Sequence, residues 1–382
     1  MADVRSSLEK LRDYIEQEDF KGYDPYDALN SPVLRALSLG RKYPRIAFTQ
    51  ALKRLPVNLR PFLFIKKGHN PKGLGLFLWG YAKLYAVEKK QEYLQQMEHI
   101  LGLLERTKST GYSGCCWGYN FDWQSRAFYV PKYTPTIVNS SFIGHALLDT
   151  YHITGEEKAL SMALSIRDFI IKDLNREEHG GMLCFSYTPL DRYFVHNANL
   201  LGASLLVRLA SLINDHGIRD IALSSLRYSM HHQREDGSWY YAEKESSHWI
   251  DSFHTGFNLQ SILYFFEEGL AGGYQEAFDR AAGFYTGQFF LADGTPKYYH
   301  DRIYPIDIHA PAQAVVILAR LGDRYQRLAE KVANWMIVNM QDKEGYFYFQ
   351  KKPNYTNKIP YMRWGQAWAF HALTDYCLRQ GG

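Results

Sequence analysis

Residues 236–243, DGSWYYAE, and residues 250–266, IDSFHTGFNLQSILYFF, contain the pattern that decides the fold. A segment rich in glycine and aromatic residues is followed by a polar stretch and then by an apolar run with helical spacing. The same order occurs four more times along the chain. The four further units are GYSGCCWGYNFDW with VNSSFIGHALLDTYHITG (111–123, 138–155), GGMLCFSYTP with HNANLLGASLLVRLASL (180–189, 196–212), DGTPKYY with PIDIHAPAQAVVILARL (293–299, 305–321) and EGYFYFQ with YMRWGQAWAFHALTDY (344–350, 361–376).

A second helix separates each of these units from the next. Apolar residues recur near positions i, i+3, i+4 and i+7 in the four intervening stretches, which are 156–174, 217–233, 274–290 and 325–341. An earlier pair at 70–89 and 91–107 supplies one more helical hairpin. Because a single hairpin cannot bury its own apolar face, such units must stack around a common core. The repeat therefore predicts an all-α fold, an (α/α)6 toroid of helical hairpins whose aromatic loops line a central cavity.

The repeat also divides the chain into two predicted parts. Residues 73–382 show no break in composition and are predicted to form the toroid as one domain. Residues 1–72 are predicted to be a helical N-terminal extension that packs on it and carries a basic segment. The chain begins with a charged, helical stretch that lacks the apolar core of a secretory signal, so the expected location is the cytoplasm.

Charge and composition exclude several classes of protein. The chain has 382 residues, 44 Lys and Arg against 40 Asp and Glu, and a net charge of +4, too little for a globally basic nucleic-acid binder. Its four cysteines form no C-x-x-C pair, which disfavours a disulfide scaffold or a cysteine-based zinc site. Aromatic residues make up 15% of the chain, including 29 tyrosines, a composition that suits a lined cavity as well as a core.

The positive charge is concentrated in one segment. Residues 41–72 contain no acidic residue and nine basic ones, which are Arg41, Lys42, Arg45, Lys53, Arg54, Arg60, Lys66, Lys67 and Lys72. One interpretation is a solvated helix face with a basic loop. The other is contact with a polyanion, a phosphate-bearing substrate or an anionic membrane surface, which would make the protein a peripheral membrane protein.

Polar residues recur in the loops that precede the predicted inner helices, and a toroid would bring those loops to one rim. The near-copies IDSFH and YPIDIH each place an aspartate and a histidine at a helix start. An aspartate there can simply cap the helix, but capping has no need of a histidine. The candidate catalytic residues are His196, His254, His309, Asp251, Asp307 and Tyr361. The candidate substrate-binding residues are Asp122, Trp123, Arg126, Asn139, Asn197, Trp239, Tyr298, Arg363 and Trp364.

Each residue type in this set has a chemical reason to be considered. Histidine donates and accepts protons near neutral pH, and a neighbouring carboxylate fixes its tautomer. Arg126 and Arg363 are flanked by aromatic residues and could bind a carboxylate or phosphate, or could equally pair with Asp122 or Asp251 in a structural network. No two histidines have the spacing of metal ligands, and no phosphate-binding or dinucleotide motif is present. The sequence therefore predicts no metal and no cofactor.

The repeated aromatic-loop hairpins resemble the (α/α)6 toroid of carbohydrate-active enzymes. That group includes six-hairpin glycosidases, N-acylglucosamine epimerases, and the helical domains of polysaccharide lyases and glucuronyl C5-epimerases. The segments YDPYDALNSP (23–32) and KGHNPKGLGLFLWGYAKLY (67–85) also resemble toroid proteins associated with bacterial surface-polysaccharide gene clusters. These resemblances imply a carbohydrate substrate.

A second resemblance concerns the segment QREDGSWYY (233–241), which is similar to the Q-x-x-D-G-S-W repeat of triterpene cyclases and their prenyltransferase relatives. The acidic D-x-D-D motif of the cyclases is absent, and the zinc-binding set of the prenyltransferases has no matching cysteine. This resemblance therefore supports the toroid fold rather than cyclisation chemistry.

Four functions follow from this reading of the sequence. The first is an enzyme acting on an acidic or lipid-linked glycan in polysaccharide biosynthesis, a uronate epimerase or lyase that abstracts a proton next to the carboxylate. The second is a glycoside hydrolase that uses two of Asp122, Asp251 and Asp307. The third is a non-catalytic glycan-binding or assembly protein, and the fourth is a terpenoid-cyclase-like enzyme. For proton abstraction, the expected pair is two of the three histidines, or one histidine with Tyr298 or Tyr361.

Overall fold

The structure, a computed structural model, describes residues 3–125 and 128–380. Within these ranges the chain is predominantly helical, with fourteen α-helices. They are α1 (Val4–Gln17), α2 (Pro32–Leu37), α3 (Lys42–Arg54), α4 (Pro71–Glu88), α5 (Gln91–Arg106), α6 (Ile137–Thr154), α7 (Glu157–Lys172), α8 (His196–Ile213), α9 (His216–His231), α10 (Ser252–Glu267), α11 (Gln275–Gln288), α12 (His309–Arg320), α13 (Gln326–Met340) and α14 (Ala367–Gln380).

Short strands lie in the loops between the helices. They are β1 (Trp123–Gln124), β2 (Tyr129–Val130), β3 (Arg176–His179), β4 (Met182–Phe185), β5 (Ile306–Asp307), β6 (Gln350–Lys351) and β7 (Thr356–Asn357). β1 pairs with β2, β3 pairs with β4, and β6 lies between β5 and β7, all antiparallel. These pairings give hydrogen-bond partners to backbone N–H and C=O groups in the aromatic loops, which have no helical hydrogen bonds of their own.

Six helices form a closed inner ring. Each of α4, α6, α8, α10 and α12 packs against the next in this series, α12 packs against α14, and α14 packs against α4. The outer helices α5, α7, α9, α11 and α13 each pack on the inner helix that precedes them in the chain. The predicted all-α toroid of helical hairpins is confirmed.

Burial explains which helices take the inner positions. In α6 every residue from 137 to 148 is buried, whereas α7 buries one face only. A helix that is apolar on all sides needs neighbours on all sides, and the inner ring is the place in this fold that supplies them. Glycines allow the inner helices to approach closely. A β-carbon at Gly80 of α4 would lie 2.5 Å from the Phe370 ring of α14.

The helix α1 occupies the outer position of the sixth hairpin, so the first 72 residues do more than pack on a finished ring. α1 contacts α14 and α13, and it buries Leu8, Leu11 and Ile15 at 4% exposure or less. The Ser7 hydroxyl donates to the side chain of Gln341 at 2.7 Å, next to α13. The beginning and the end of the chain therefore close the ring together.

No helix among the described residues is both long enough and apolar enough to span a lipid bilayer.

Candidate active site

A cavity of about 300 Å³ lies at the end of the ring where the inner helices begin. Because consecutive hairpins run up and down, all six inner helices point the same way, and their first turns meet at this end. Each inner helix or the turn before it contributes a lining residue, and these are Lys72, Val138, Asn197, His254, His309 and Trp364.

Aromatic side chains form most of the cavity wall. Flat apolar ring faces with a few polar groups between them suit the stacking of sugar rings. Tyr119 and Phe121 stack at a centroid distance of 5.1 Å, and Tyr241 stacks on Trp249 at 4.5 Å, so much of this wall is held rigid by its own packing. The aromatic lining residues are Tyr26, Tyr119, Phe121, Trp123, Tyr187, Tyr241, Trp249, Phe253, Phe257, Tyr298, Tyr299 and Trp364.

Asp251 and His254 form a hydrogen-bonded pair on the cavity wall. Asp251 Oδ1 accepts the backbone N–H of His254 at 3.0 Å and so caps α10. Asp251 Oδ2 lies 2.7 Å from His254 Nδ1 and also accepts from Trp249 Nε1 at 3.2 Å. The aspartate is therefore both a helix cap and a partner for the imidazole. A carboxylate at Nδ1 holds the proton there and leaves Nε2 as the basic nitrogen.

His309 is the second imidazole of the cavity, and its environment differs from that of His254. Its ring stacks on Phe253 at 4.6 Å and contacts Trp368 at 4.5 Å. Neither ring nitrogen has a hydrogen-bond partner among the described residues. Burial, together with the positive charges of Lys72 and Arg363, holds the pKa of His309 well below its usual value. The ring is therefore neutral at neutral pH and can accept a proton.

Asp307 does not repeat the arrangement of Asp251, although the two sequence segments look alike. Its carboxylate accepts from the backbone N–H of His309, the first residue of α12, at 3.0 Å, from Trp364 Nε1 at 2.7 Å and from Gln350 Nε2 at 2.6 Å. It is fully buried and lies outside the cavity lining. Its carboxylate orients Trp364, which does line the cavity.

Arg363 lines the cavity but already has an anionic partner. Its Nε and Nη2 atoms donate to the two oxygens of Asp24, at 2.5 and 2.8 Å. Both residues are buried, and the guanidinium lies over Tyr119 and Trp364 at 5.1 Å from each ring centre. The predicted alternatives for Arg363 were Asp122 and Asp251. Asp24, from the N-terminal segment, was absent from the sequence prediction because no pattern links it to a residue 339 positions away.

Lys72 and Lys53 also line the cavity, and the sequence prediction assigned neither of them to the site. Lys72 is 3% exposed, and its Nζ lies 4.3 Å from the ring centre of Phe142 and 5.3 Å from that of Trp368. Burial, with help from the charge of Arg363, holds the pKa of Lys72 well below its usual value. Lys53 Nζ donates to the hydroxyl of Tyr26 at 2.6 Å.

The signal for these two lysines was present in the sequence but was interpreted differently. Both belong to the nine basic residues of the 41–72 segment, which as a group predicts either a solvated helix face or contact with a polyanion, a phosphate-bearing substrate or an anionic membrane surface. Lys72 lies in the first turn of the apolar helix α4. The helix dipole makes a positive charge unfavourable at that end, so a lysine there indicates a specific role.

His196 and Trp239 lie beside the main cavity rather than in its wall. His196 Nε2 is 2.7 Å from Glu243 Oε1, and Trp239 donates to the backbone carbonyl of Ser229 at 2.7 Å. Both line a neighbouring space of about 10 Å³, which is the size of one water molecule. Asn197 lines both spaces, and its Oδ1 has no partner among the described residues.

Of the other predicted site residues, Trp123, Tyr298 and Trp364 line the cavity, whereas Asp122, Asn139 and Tyr361 do not. Asp122 pairs with Arg35 Nη2 at 3.2 Å. Asn139 and Tyr361, like Asp122, are buried in the surrounding structure. Arg126 lies outside the described residues.

No group of three or more His, Cys, Asp and Glu side chains in residues 3–125 and 128–380 is arranged to hold a metal ion.

The amino-acid sequence matches the family described as Glycosyl Hydrolase Family 88 over residues 72–252. This match is slightly shorter than half of the chain. It begins at Lys72 and ends just after Asp251, so it includes part of the cavity wall. No protein of curated function matches the sequence.

Solved structures with the same fold cover most of the chain. Cellobiose 2-epimerase from Bacillus thermoamylovorans is 15% identical with a TM-score of 0.64, and the match covers 82% of this chain and 88% of that one. A GH76 alpha-mannanase from Bacteroides thetaiotaomicron is 13% identical with a TM-score of 0.61, covering 81% and 86%. An unsaturated glucuronyl hydrolase specific for heparin is 13% identical with a TM-score of 0.60, covering 82% and 87%.

At such low identity these structures establish the fold. They are toroid enzymes that process carbohydrates by different reactions, so fold alone does not select one reaction. The chain is thus an (α/α)6 toroid that resembles carbohydrate-active enzymes, in its fold along four-fifths of its length and in its sequence with Glycosyl Hydrolase Family 88 over residues 72–252.

Proposed function

We propose that this protein is a carbohydrate-active enzyme that abstracts a proton from the carbon next to the carboxylate of an acidic sugar. The observation that carries the proposal is the pair of imidazoles, His254 and His309, on the wall of an aromatic cavity. Return of a proton to the opposite face of the carbon gives epimerisation. Loss of the neighbouring substituent instead gives an unsaturated sugar, as in a lyase.

The two histidines suit different halves of this reaction. His254 is oriented by Asp251, which stabilises the imidazolium that forms when Nε2 takes a proton. His309 has no such partner, and its lowered pKa leaves the resting ring neutral, so it delivers a proton to the sugar only after it has taken one up from solvent. Both rings contact Phe253, at centroid distances of 4.3 and 4.6 Å, so they are close enough to act on one sugar.

Lys72 is the group best suited to bind the carboxylate of the substrate. Arg363 is neutralised by Asp24, whereas Lys72 makes no ion pair among the described residues. A carboxylate placed beside Lys72 favours the protonated amine, and the pair then stabilises negative charge that develops on the sugar. Asn197, with a free carbonyl oxygen in the cavity, is suited to accept a hydrogen bond from a sugar hydroxyl.

Glycoside hydrolysis by two carboxyl groups is supported less well by this cavity. Such hydrolysis requires one carboxyl group on each side of the scissile bond. Among the described lining residues Asp251 is the one carboxylate, and it is engaged by His254 and Trp249. Asp122 and Asp307, the other candidates, lie outside the lining.

We further propose that the substrate is a free or lipid-linked glycan of polysaccharide biosynthesis in the cytoplasm. The four cysteines, Cys115, Cys116, Cys184 and Cys377, are all unpaired, as is usual in a reducing compartment. Support for a lipid-linked form comes from the exposed apolar and basic side chains that residues 33–66 present next to the cavity.

The test is NMR of the protein in deuterated water with oligosaccharides that contain a uronate. We expect deuterium to enter the carbon next to the carboxylate, and we expect His254→Gln and His309→Gln each to reduce this rate by about 10²-fold or more. His231→Gln, at an exposed position, serves as the control. New reducing ends without exchange would instead indicate hydrolysis. Binding without any chemical change would indicate a glycan-binding protein, and either result would overturn the proposal.

The role of Lys72 is tested by Lys72→Met. Loss of a charge-assisted contact should raise the KM for uronate oligosaccharides by about tenfold or more. The KM for matched neutral oligosaccharides should stay the same, and stability in urea should not fall, because the variant removes a buried amine that has no ion-pair partner. An equal loss for acidic and neutral sugars would show that Lys72 shapes the cavity rather than recognising charge.

A further inference from the structure

Large apolar side chains project into solvent from one N-terminal region of the molecule. We call this region the basic-apolar surface and define it as residues 32–67, which comprise α2, α3, the turn between them and the loop that follows α3. Its most exposed apolar residues are Leu37 (61% exposed), Leu39 (74%), Tyr43 (79%), Val57 (62%), Phe62 (79%) and Phe64 (68%). α2 contacts both α3 and the turn at Pro61–Leu63, so these residues belong to one continuous part of the surface.

The concentration of exposed apolar residues in this region is unusual. Among the described residues nineteen large hydrophobic side chains are exposed, and nine of them lie between residues 33 and 64. Single exposed apolar residues are normal on soluble proteins, but a contiguous group marks a site of interaction. The group has no function in the ring itself, because α2 contains no buried residue.

The same surface is strongly basic. The chain has no acidic residue between Asp27 and Glu88. Arg41, Lys42, Arg54 and Lys66 are all exposed, and none of them makes an ion pair within residues 3–125 and 128–380. The positive charges therefore face solvent without compensation, next to the apolar side chains.

The basic-apolar surface also adjoins the cavity. α3 carries Lys53, which lines the cavity, and α3 contacts β1, which carries the lining residue Trp123. Arg45 of α3 lies 4.2 Å from the ring centre of Tyr129 in β2. A large partner held by this surface would therefore lie beside the cavity mouth.

We propose that the basic-apolar surface docks the protein on an anionic phospholipid membrane. The apolar tips would insert at the level of the headgroups, and the arginines and lysines would contact the lipid phosphates. This combination of apolar and basic side chains without acidic ones matches the two layers of a membrane surface. The membrane thereby becomes the place where a lipid-linked sugar reaches the cavity, a consequence that rests on the proposed function.

Charge favours a membrane over a second copy of the chain. In a symmetric dimer through this surface the two uncompensated basic groups would face each other across the interface. An anionic bilayer instead supplies the opposite charge at every position of the surface. It also accepts apolar side chains without requiring a shaped pocket for each.

Sedimentation with vesicles tests this proposal. We expect the full chain to bind vesicles of phosphatidylcholine and phosphatidylglycerol in equal parts, and to bind pure phosphatidylcholine vesicles much more weakly. High salt should weaken the binding because it screens the attraction. Phe62→Ser with Phe64→Ser should reduce binding by about 25-fold or more, at roughly fivefold or more for each apolar side chain removed from the interface. Arg41→Gln and Lys42→Gln should each reduce it about fivefold.

Two control variants carry changes of the same kind at exposed positions elsewhere. Val338→Ser removes an apolar side chain that is 66% exposed, and Lys343→Gln removes an exposed charge. Neither should change vesicle binding. All of the substituted residues are exposed, so circular dichroism should show folded protein throughout.

Three results would overturn the proposal. The first is the absence of binding to the anionic vesicles, and the second is equal loss of binding in the control variants. The third is a dimer in light scattering that Phe62→Ser with Phe64→Ser dissociates. The vesicles contain no sugar, so this test is independent of the proposed chemistry. Proton exchange on a soluble uronate oligosaccharide should be the same in the Phe62 and Phe64 variants as in the native chain.

Discussion

At the scale of single residues, the spacing between an aspartate and a histidine separates two roles that look alike in sequence. Asp251 and His254 are three positions apart, so the imidazole returns over the capping carboxylate and bonds to it at 2.7 Å. Asp307 and His309 are two positions apart, and the carboxylate bonds to the backbone of His309 but not to its ring. A difference of one residue in spacing thus separates an imidazole that is hydrogen-bonded to the carboxylate from one that is not.

Asp251→Asn tests the orientation of His254 without removing the helix cap, because asparagine caps helices about as well as aspartate does. The amide oxygen can keep the backbone contact, while the amide N–H₂ then faces His254 Nδ1. That geometry places the imidazole proton on Nε2, which makes the ring a poor base. We expect the rate of deuterium exchange into a uronate to fall by about 10²-fold or more.

The control for this variant is its stability. The midpoint of urea unfolding should fall only by the loss of one hydrogen bond, the one from Trp249 Nε1, since the cap and the packing are retained. A variant that exchanges deuterium at the native rate would exclude His254 as a base oriented by Asp251. A variant that is inactive because it is unfolded would be recognised by its circular dichroism spectrum.

At the scale of helices, glycines show how tightly the inner ring is built. Gly80 of α4 faces α14, and a β-carbon there would lie 2.5 and 2.6 Å from two atoms of the Phe370 ring. Gly102 of the outer helix α5 has only the flexible end of Arg106 nearby, at 3.3 Å. The same residue type is therefore required for packing in one helix and is merely a weak helix former in the other.

Gly80→Ala and Gly102→Ala should change stability in opposite directions. Both variants gain up to about 1 kcal/mol of helix propensity. Only Gly80→Ala must also displace a buried aromatic ring, which costs about 1–3 kcal/mol, so its free energy of unfolding should fall. The free energy of unfolding of Gly102→Ala should rise. Urea denaturation followed by circular dichroism measures the free energy of unfolding of both variants. A more stable Gly80→Ala variant would contradict the close contact between α4 and α14 at Phe370.

At the scale of the whole molecule, the two ends of the ring have different chemistry. The cavity occupies the end where the inner helices begin, while the other end is closed by ion pairs between inner helices. Lys83 pairs with Asp375, Arg208 with Asp149 at 2.5 Å, and Arg320 with Glu267 at 2.6 Å. Each pair joins neighbouring inner helices, so these charges help to hold the ring together at this end.

Two histidines are buried within this closed end. His371 is fully buried beside Trp79, with the ring centres 4.4 Å apart, and the His145 ring lies 6.1 Å from that of Trp79. Burial and the charge of Lys83 hold the pKa of His371 well below its usual value. At neutral pH the ring is therefore neutral both in the folded and largely in the unfolded chain.

The pH dependence of stability should carry the signature of His371. Below about pH 6.5 the unfolded chain binds a proton at this residue and the folded chain does not, so protonation favours unfolding. The contribution amounts to as much as about 1.4 kcal/mol per pH unit. His371→Phe should remove it, and the free energy of unfolding of the variant should fall less steeply than that of the native chain between about pH 6.5 and about pH 5.

Thr374→Val provides the comparison for this measurement. Thr374 is buried one turn further along α14 and does not titrate, so its variant should shift the curve of stability against pH without changing its slope. Parallel curves for the native chain and His371→Phe would contradict the lowered pKa of His371.

The sequence by itself determined the fold class and the end of the molecule at which polar residues gather. A repeated hairpin with an apolar inner helix must stack on its neighbours to bury that helix, and hydrophobic periodicity is a local property that recurs in each repeat. It also singled out His254, His309, Asp251 and Trp364, because residues at equivalent places in a repeat meet at one rim.

Only the tertiary structure decided which of those residues share a cavity and what each one contacts. Asp24 reaches Arg363 across 339 positions, and α1 completes the sixth hairpin from the opposite end of the chain. Lys72 becomes a cavity residue because the ring buries it among aromatic side chains. Ion pairs, burial and pKa values depend on distances between side chains that are remote in sequence, and no local pattern encodes those distances.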